Sequence, residues 1–107
     1  MAVDVIATIY AAPGKVDRVA ELLGNHANWV QTNEPRTLRY ELKRQVDSKT
    51  KVEELVMIET YADMEAIKEH GGTKEFRALG KILKEEGLVT APTQIRFVKH
   101  VAGFSRL

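Results

Sequence analysis

Hydrophobic and polar positions change their spacing several times along the chain, and each change predicts a new element. Residues 3–10 are rich in β-branched side chains and end at the turn sequence AAPG, a pattern typical of a strand. From Lys15 the apolar residues recur at helical spacing and form one stripe: Val16, Val19, Ala20, Leu23, Ala27 and Val30. This helix is expected to end before Pro35, because a residue preceding proline is disfavoured in the α region.

Two strands joined by a polar loop are predicted next. Residues 37–44 alternate between apolar and charged side chains, which indicates a half-buried strand. Its apolar face consists of Leu38, Tyr40 and Leu42. The loop covers residues 47–51, and residues 52–61 form the partner strand. Because residues 55–58 are all apolar, the centre of this strand is expected to be buried on both faces.

The remaining pattern predicts two helices and a last strand. Asp63 and Thr73 are the expected N-caps of the two helices, which close at the Gly-Gly pair 71–72 and at Gly87. Residues 93–101 alternate again and predict a strand. The order β-α-β-β-α-α-β is that of an α+β, ferredoxin-like fold with split βαβ units, a four-stranded antiparallel sheet and one domain over residues 1–107.

In such a fold the helices cover one face of the sheet, yet the sequence predicts apolar side chains on both faces. Val56 and Ile58 point opposite to Leu55 and Met57 in the predicted strand. An uncovered apolar face of this size is typical of an interface. We therefore expect a homodimer in which the two sheets pack against each other.

Composition narrows the classes of function. Sixteen basic and fifteen acidic residues give a formal net charge of +1, which argues against a nucleic-acid partner. The chain has no cysteine, so disulfides and thiolate sites are excluded. No apolar run approaches the roughly 20 residues that span a bilayer, and no signal peptide is visible after Met1. A cytoplasmic protein without a membrane partner is expected.

Four passages resemble the antibiotic biosynthesis monooxygenase family of dimeric α+β barrels: VIATIYAAPGK, NEPRTLRYEL, LVMIETYADMEAIKEH and TKEF. The agreement covers roughly residues 3–101, although Arg36 stands where the family often has glycine. The resemblance implies oxidation by dioxygen, without a cofactor, of a small apolar metabolite: a phenol, a quinol, a polyketide-type ring or a lipid-derived signal such as an oxylipin. The alternative is a ligand-binding or stress-response dimer without turnover.

The resemblance also implies catalytic residues, and we predict His70, Tyr61 and Glu59. His70 matches the family's histidine, and an imidazole, which titrates at about pH 6.5, suits the transfer of a phenolic proton. The alternative is a helix-end residue favoured by the helix dipole. Glu59 shares a strand face with Tyr61, where a carboxylate needs a hydrogen bond or a positive partner. A pairing role for Glu59 is therefore favoured over direct catalysis.

Four further residues are predicted to bind substrate in a pocket between helices and sheet: Trp29, His26, Tyr40 and Phe76. Trp29 and His26 lie at the margin of the apolar stripe. The alternatives are core or interface packing for Trp29 and a solvent-facing or satisfied boundary position for His26. A hydroxyl of Tyr40 or Tyr61 has the chemistry to orient a substrate oxygen, or it caps the core. Phe76 is expected in the pocket wall.

No metal or cofactor is predicted. The three histidines have no short ligand spacing. In haem-degrading relatives the axial histidine lies ten residues beyond the position of His70, and this chain has Gly80 there. No glycine-rich phosphate loop follows a strand, so a nucleotide or flavin site has no support.

Overall fold

In the computed structural model, which describes residues 2–47, 49–50 and 52–107, strands and helices follow the predicted order. Met1 lies outside the described residues, as do Ser48 and Lys51 of the predicted loop 47–51. The elements are β1 (Val3–Ile9), α1 (Val16–Asn33), β2 (Thr37–Val46), β3 (Glu53–Tyr61), α2 (Met64–Gly71), α3 (Lys74–Glu85) and β4 (Gln94–Val98). The α+β assignment and the ferredoxin-like order are therefore confirmed.

The four strands form one antiparallel sheet in the order β2-β3-β1-β4. Its register brings side chains from all four strands into rows on the face that the helices cover. One row contains Tyr40, Glu59, Val5 and Phe97, and the next contains Leu42, Met57, Ala7 and Ile95. A row with two polar side chains, Tyr40 and Glu59, thus lies beside a wholly apolar row, since alternation along each strand fixes which residues share a face.

The core lies between the helices and the first three strands of this sheet. Val19 and Leu23 of α1 pack with Leu79 of α3 and with the inward side chains of β1 and β3. All of these side chains are less than a tenth exposed. None of the helices in the described ranges is long and apolar enough to cross a membrane.

Side-chain caps fix where α2 and α3 begin. The carboxylate of Asp63 accepts a hydrogen bond of 2.9 Å from the amide of Ala66, and the hydroxyl of Thr73 accepts one of 3.1 Å from the amide of Phe76. Both N-caps are the predicted ones. Gly87 follows α3 with φ of 61°, a left-handed conformation that favours glycine. α2 ends at Gly71, so His70 lies in its last turn.

The strand ends differ from the sequence predictions by one residue in three places and by more in two, and one side chain faces the other way. β2 extends to Val46, and β4 ends at Val98 rather than at residue 101, because its partner β1 begins at Val3 and offers little strand beyond that point. Leu38, predicted to face inward, is 59% exposed. The register of β2 shifts between Thr37 and Arg39, and this irregularity takes Leu38 out of the alternation.

The helices leave the β4 side of the sheet open. Ile95 and Phe97 point to the helix side, as their rows require, yet they are 55% and 57% exposed. Within the described residues β4 pairs with β1 alone, at the edge of the sheet. The space between α3 and β4 therefore opens to the outside, and it leads into the cavity that holds the candidate site.

Candidate functional site

A cavity of about 320 Å³ lies between the helices and the sheet. The inward side chains of β1 and β3 form its floor, including Ala7 and Met57, and α3 contributes Leu79 and Leu83. Phe97 lies on the open β4 side. The volume is at the small end of the range of about 300–1,000 Å³ that is usual for ligand pockets. Its mainly apolar lining suits a small apolar molecule.

Polar groups gather at one end of this cavity: Tyr40, Glu59, Tyr61 and His70. Tyr40 and Glu59 are cross-strand partners, and Tyr61 is two residues beyond Glu59 on the same strand face. His70 approaches from α2. The centre of its ring is 5.1 Å from that of Tyr40 and 5.5 Å from that of Tyr61. Two strands and a helix thus bring residues up to 30 positions apart into one cluster.

His70 is held by a carboxylate that sequence reasoning did not select. Its Nδ1 lies 2.8 Å from Oε1 of Glu34, and the two side chains are 6% and 11% exposed. The same oxygen of Glu34 accepts a 2.9 Å hydrogen bond from the hydroxyl of Thr37. When Nδ1–H of the neutral imidazole donates to Glu34, Nε2 is left as the atom that accepts a proton. This is the arrangement of an oriented general base.

The alternative of a helix-end residue explains the position of His70 in α2 but not its surroundings. His70 is 5% exposed, and its ring meets that of Phe76 edge-on at 4.8 Å. The favourable interaction of a histidine with the C-terminal end of a helix does not require the side chain to be buried or paired with a carboxylate. The geometry therefore favours a polar group built into the cavity wall.

Glu59 and Tyr61 form a second polar pair. The buried hydroxyl of Tyr61 donates a hydrogen bond to the carboxylate of Glu59. Burial raises the pKa of Glu59, while the hydrogen bond from Tyr61 and the neighbouring His70 oppose this shift. Burial, and then the charge of Glu59, raise the pKa of Tyr61. Tyr61 therefore keeps its proton at neutral pH, as the hydrogen bond requires.

Tyr40 has a similar environment. Burial, followed by the charges of Glu59 and Glu34, raises its pKa above the ordinary value. Its hydroxyl consequently remains a hydrogen-bond donor at neutral pH. Together with Tyr61 it gives the polar end of the cavity two phenol groups that donate rather than ionise.

His26 lies behind the cavity wall. It is 6% exposed, and its ring centre is 6.0 Å from Trp29, in a stacked arrangement, and 5.7 Å from His70. Its Nε2 is buried without a hydrogen-bond partner among the described residues. Burial, and then the proximity of His70, lower its pKa. The solvent-facing alternative for His26 is wrong.

The predicted site residues thus divide into two groups. Tyr40, Glu59, Tyr61, His70 and Phe76 line the cavity. Trp29 and His26 form a layer behind it, because the ring of His26 also contacts those of Tyr40 and Phe76. A signal for the burial of His26 was present in the sequence, since positions 19, 23, 26 and 30 continue one helical stripe.

Arg36 joins the turn after α1 to the helix that carries His70. Its guanidinium lies 2.5 Å and 2.6 Å from the carboxylate oxygens of Asp63 and 2.7 Å from an oxygen of Glu69. These carboxylates belong to the N-cap and the last turns of α2. The clamp holds α2 beside the turn that contains Glu34, so it supports the His70–Glu34 contact. Solvent screens the ion pairs, because the arginine side chain is 39% exposed.

In the described part of the chain, no group of three or more His, Asp and Glu side chains is arranged to hold a metal ion. The polar cluster around His70 consists instead of two phenols, one imidazole and two carboxyl groups, those of Glu59 in the lining and Glu34 behind it. Their chemistry is proton transfer and hydrogen bonding.

Comparisons with known proteins agree with this fold. The family model described as antibiotic biosynthesis monooxygenase matches residues 2–81, a stretch that contains the seven predicted site residues and Glu34. A structure from Caulobacter crescentus, described as a candidate antibiotic biosynthesis monooxygenase, is 31% identical with a TM-score of 0.79, and the match covers 94% of this chain and 91% of that chain.

Two further solved structures show the same architecture. A Pseudomonas aeruginosa protein is 26% identical with a TM-score of 0.76, covering 94% of this chain and 95% of that chain. A Mycobacterium tuberculosis protein is 23% identical with a TM-score of 0.78, covering 98% of this chain and 100% of that chain, and it supports the fold alone. Among curated proteins, none matches the chain.

Proposed function

We propose that this chain, which belongs to the antibiotic biosynthesis monooxygenase family, oxidises a small apolar metabolite with dioxygen and without a cofactor. The observation that carries the proposal is the His70–Glu34 pair at the polar end of an otherwise apolar cavity. A phenol or quinol ring suits this cavity, and a polyketide-type ring or a lipid-derived signal such as an oxylipin completes the set of candidate substrates. Such a reaction serves secondary metabolism or the removal of reactive small molecules.

In the proposed reaction, the substrate supplies all the electrons. Nε2 of His70 takes the phenolic proton, and the electron-rich ring then reacts with dioxygen to form a carbon–peroxide bond. The imidazolium returns its proton to the peroxide. Loss of the ring hydrogen from the same carbon breaks the O–O bond and leaves a carbonyl. One oxygen atom stays in the quinone and the other leaves in water, so the ring loses four electrons and dioxygen gains four.

The other polar groups have supporting roles in this proposal. The hydroxyl of Tyr40, which keeps its proton, donates a hydrogen bond to the oxygen on which negative charge develops. Tyr61 holds Glu59 and keeps that carboxylate turned toward its own strand. Although the β4 side is open, the side chains of His70, Glu59 and Tyr61 are buried, and the low dielectric around them strengthens each of these interactions.

We also infer that the chain acts as a homodimer with the helix-free faces of the two sheets apposed. Val56 and Ile58 on this face are half-buried in the single chain, although no helix packs there within the described residues. Covering such apolar side chains is favourable by about 25 cal/mol per Å². Sedimentation at micromolar concentration should give twice 12.0 kDa, and a species of 12.0 kDa would contradict the inference.

Oxygen uptake with a panel of naphthols and naphthoquinols in metal-free buffer tests the proposed activity. Turnover with isotopically labelled dioxygen should place one labelled atom in the quinone and the other in water. His70→Gln, which removes the base and keeps a polar side chain, is the control. Tight binding of these compounds without oxygen uptake would contradict the proposal and support the ligand-binding alternative.

A further inference from the structure

The cavity has more acidic than basic side chains around it. Among the described residues that line it, none is lysine or arginine. At its polar end the imidazole of His70 lies near two carboxyl groups: Glu59, which lines the cavity, and Glu34, which contacts Nδ1 from behind the lining. At most one positive charge therefore meets two groups that can be negative.

Two basic side chains close to the cluster around His70 are not available to the cavity. Arg36 is occupied by Asp63 and Glu69 on the outer side of α2. His26 stands behind the wall, and burial lowers its pKa, so its ring is neutral at pH 7. Glu75 also acts on His26, with a negative charge. Taken together, the groups that face His70 give this end of the cavity a neutral or negative character.

We propose that the cavity selects its substrate by charge: it accepts neutral apolar compounds that carry a hydroxyl group and excludes carboxylates of the same size. This inference rests on the proposed function in one respect, namely that the cavity is the substrate site. It sharpens that function, because acidic compounds are removed from the set of possible substrates, including any oxylipin with a free carboxylate.

Desolvation provides the physical reason. Burying an anion without a cationic partner costs free energy that a neutral hydroxyl group does not. Glu34 already occupies Nδ1 of His70, so a bound carboxylate would share one imidazole with two other carboxyl groups. A hydroxyl can instead donate its proton to the remaining ring nitrogen. The apolar body of the ligand then lies along Ala7 and Met57, toward the open β4 side.

Isothermal titration calorimetry with 2-naphthol and 2-naphthoate at pH 7 tests the inference, because the two probes share a ring system and differ in charge. 2-Naphthol should bind at least about tenfold more tightly, since like charges in a desolvated site are strongly unfavourable. Equal or tighter binding of 2-naphthoate would overturn the inference. So would the failure of both probes to bind at millimolar concentration.

Charge variants show whether the preference arises in the cavity. Glu34→Gln removes one carboxylate and keeps the side-chain size, so the ratio of the two affinities should fall; Glu59→Gln is the second variant if that protein does not fold. Glu85→Gln is the matched control, because it removes one charge from a side chain that is 63% exposed on α3. An equal fall in the control would overturn the inference by assigning the ratio to net charge.

The same probes separate this inference from the proposed activity. If the affinity ratio holds but 2-naphthol causes no oxygen uptake, charge selection stands and the monooxygenase proposal fails. If 2-naphthol is oxidised while 2-naphthoate binds equally well, the activity stands and charge selection fails.

Discussion

The two buried histidines have ring centres 5.7 Å apart, yet their surroundings differ. His70 lines the cavity and has a carboxylate partner in Glu34. His26 lies one layer behind, among aromatic rings, and its Nε2 has no partner among the described residues. The comparison shows that burial does not by itself make an acid–base group. Access to the cavity and a charged partner distinguish the histidine that can exchange a proton with a ligand.

Replacing each histidine with glutamine should give the largest difference in turnover between two variants. His70→Gln is expected to lower turnover by roughly 10²-fold or more, the usual size of a general-base contribution. His26→Gln should leave turnover within a few-fold, because that ring does not line the cavity. Oxygen-uptake rates of the two variants, measured with the same naphthol, test this. Equal losses of turnover in the two variants would contradict the assignment of His70 as the base.

The partner of His70 provides the next test. Glu34→Gln keeps a hydrogen-bond acceptor near Nδ1 but removes the charge that stabilises the imidazolium. A hydrogen bond to a charged group contributes about 1.5–3 kcal/mol. Loss of that contribution in the transition state should lower the rate by about tenfold to a hundredfold. Glu85→Gln, with its exposed side chain, is the control, and a Glu34→Gln protein of unchanged rate would make Glu34 purely structural.

The sequence predicted one carboxylate of this cluster and missed the other. Glu59 was found because strand alternation places it on the buried face with Tyr61. Glu34 ends a helix, and its partner is 36 positions away, so no local period connects the two residues. The open β4 side was missed for a similar reason. Alternation predicts that Ile95 and Phe97 share a face, but the reach of the helices over that face is a tertiary property.

The raised pKa of Glu59 can be tested by measuring the free energy of unfolding rather than turnover. Its folded-state pKa is raised above the ordinary value of 4.5, so the unfolded chain loses its proton at lower pH than the folded chain. The contribution of Glu59 to stability is therefore full below pH 4.5 and is lost as pH rises through the folded pKa. Glu59→Gln does not ionise, and its stability relative to wild type should rise from pH 4.5 to pH 8.

Thermal unfolding at several pH values measures this difference. A change of 1 kcal/mol corresponds to about 4–8 °C in Tm for a chain of this size. A constant difference between the two proteins across this pH range would mean that burial does not perturb Glu59.

His26 should have the smallest effect on the free energy of unfolding, and its pH dependence should be opposite to that of Glu59. Burial lowers its folded-state pKa below 6.5, so below that pH the unfolded chain binds a proton that the folded chain does not. Stability linked to His26 is therefore full above pH 6.5 and is lost as pH falls through the folded pKa. His26→Phe keeps an aromatic ring against Trp29 and removes both the titration and the unpaired Nε2.

Removing an unsatisfied buried polar atom should raise the free energy of unfolding by about 1 kcal/mol at pH 7. The advantage of His26→Phe over wild type should then grow as pH falls from 7 to 5. Denaturant unfolding at both pH values measures it, with His100→Phe as the control, because that histidine is exposed. An advantage that shrinks toward pH 5 would mean that His26 takes up its proton readily in the folded chain. His26 would then share the acid–base environment of His70, and the distinction between the two layers would fail.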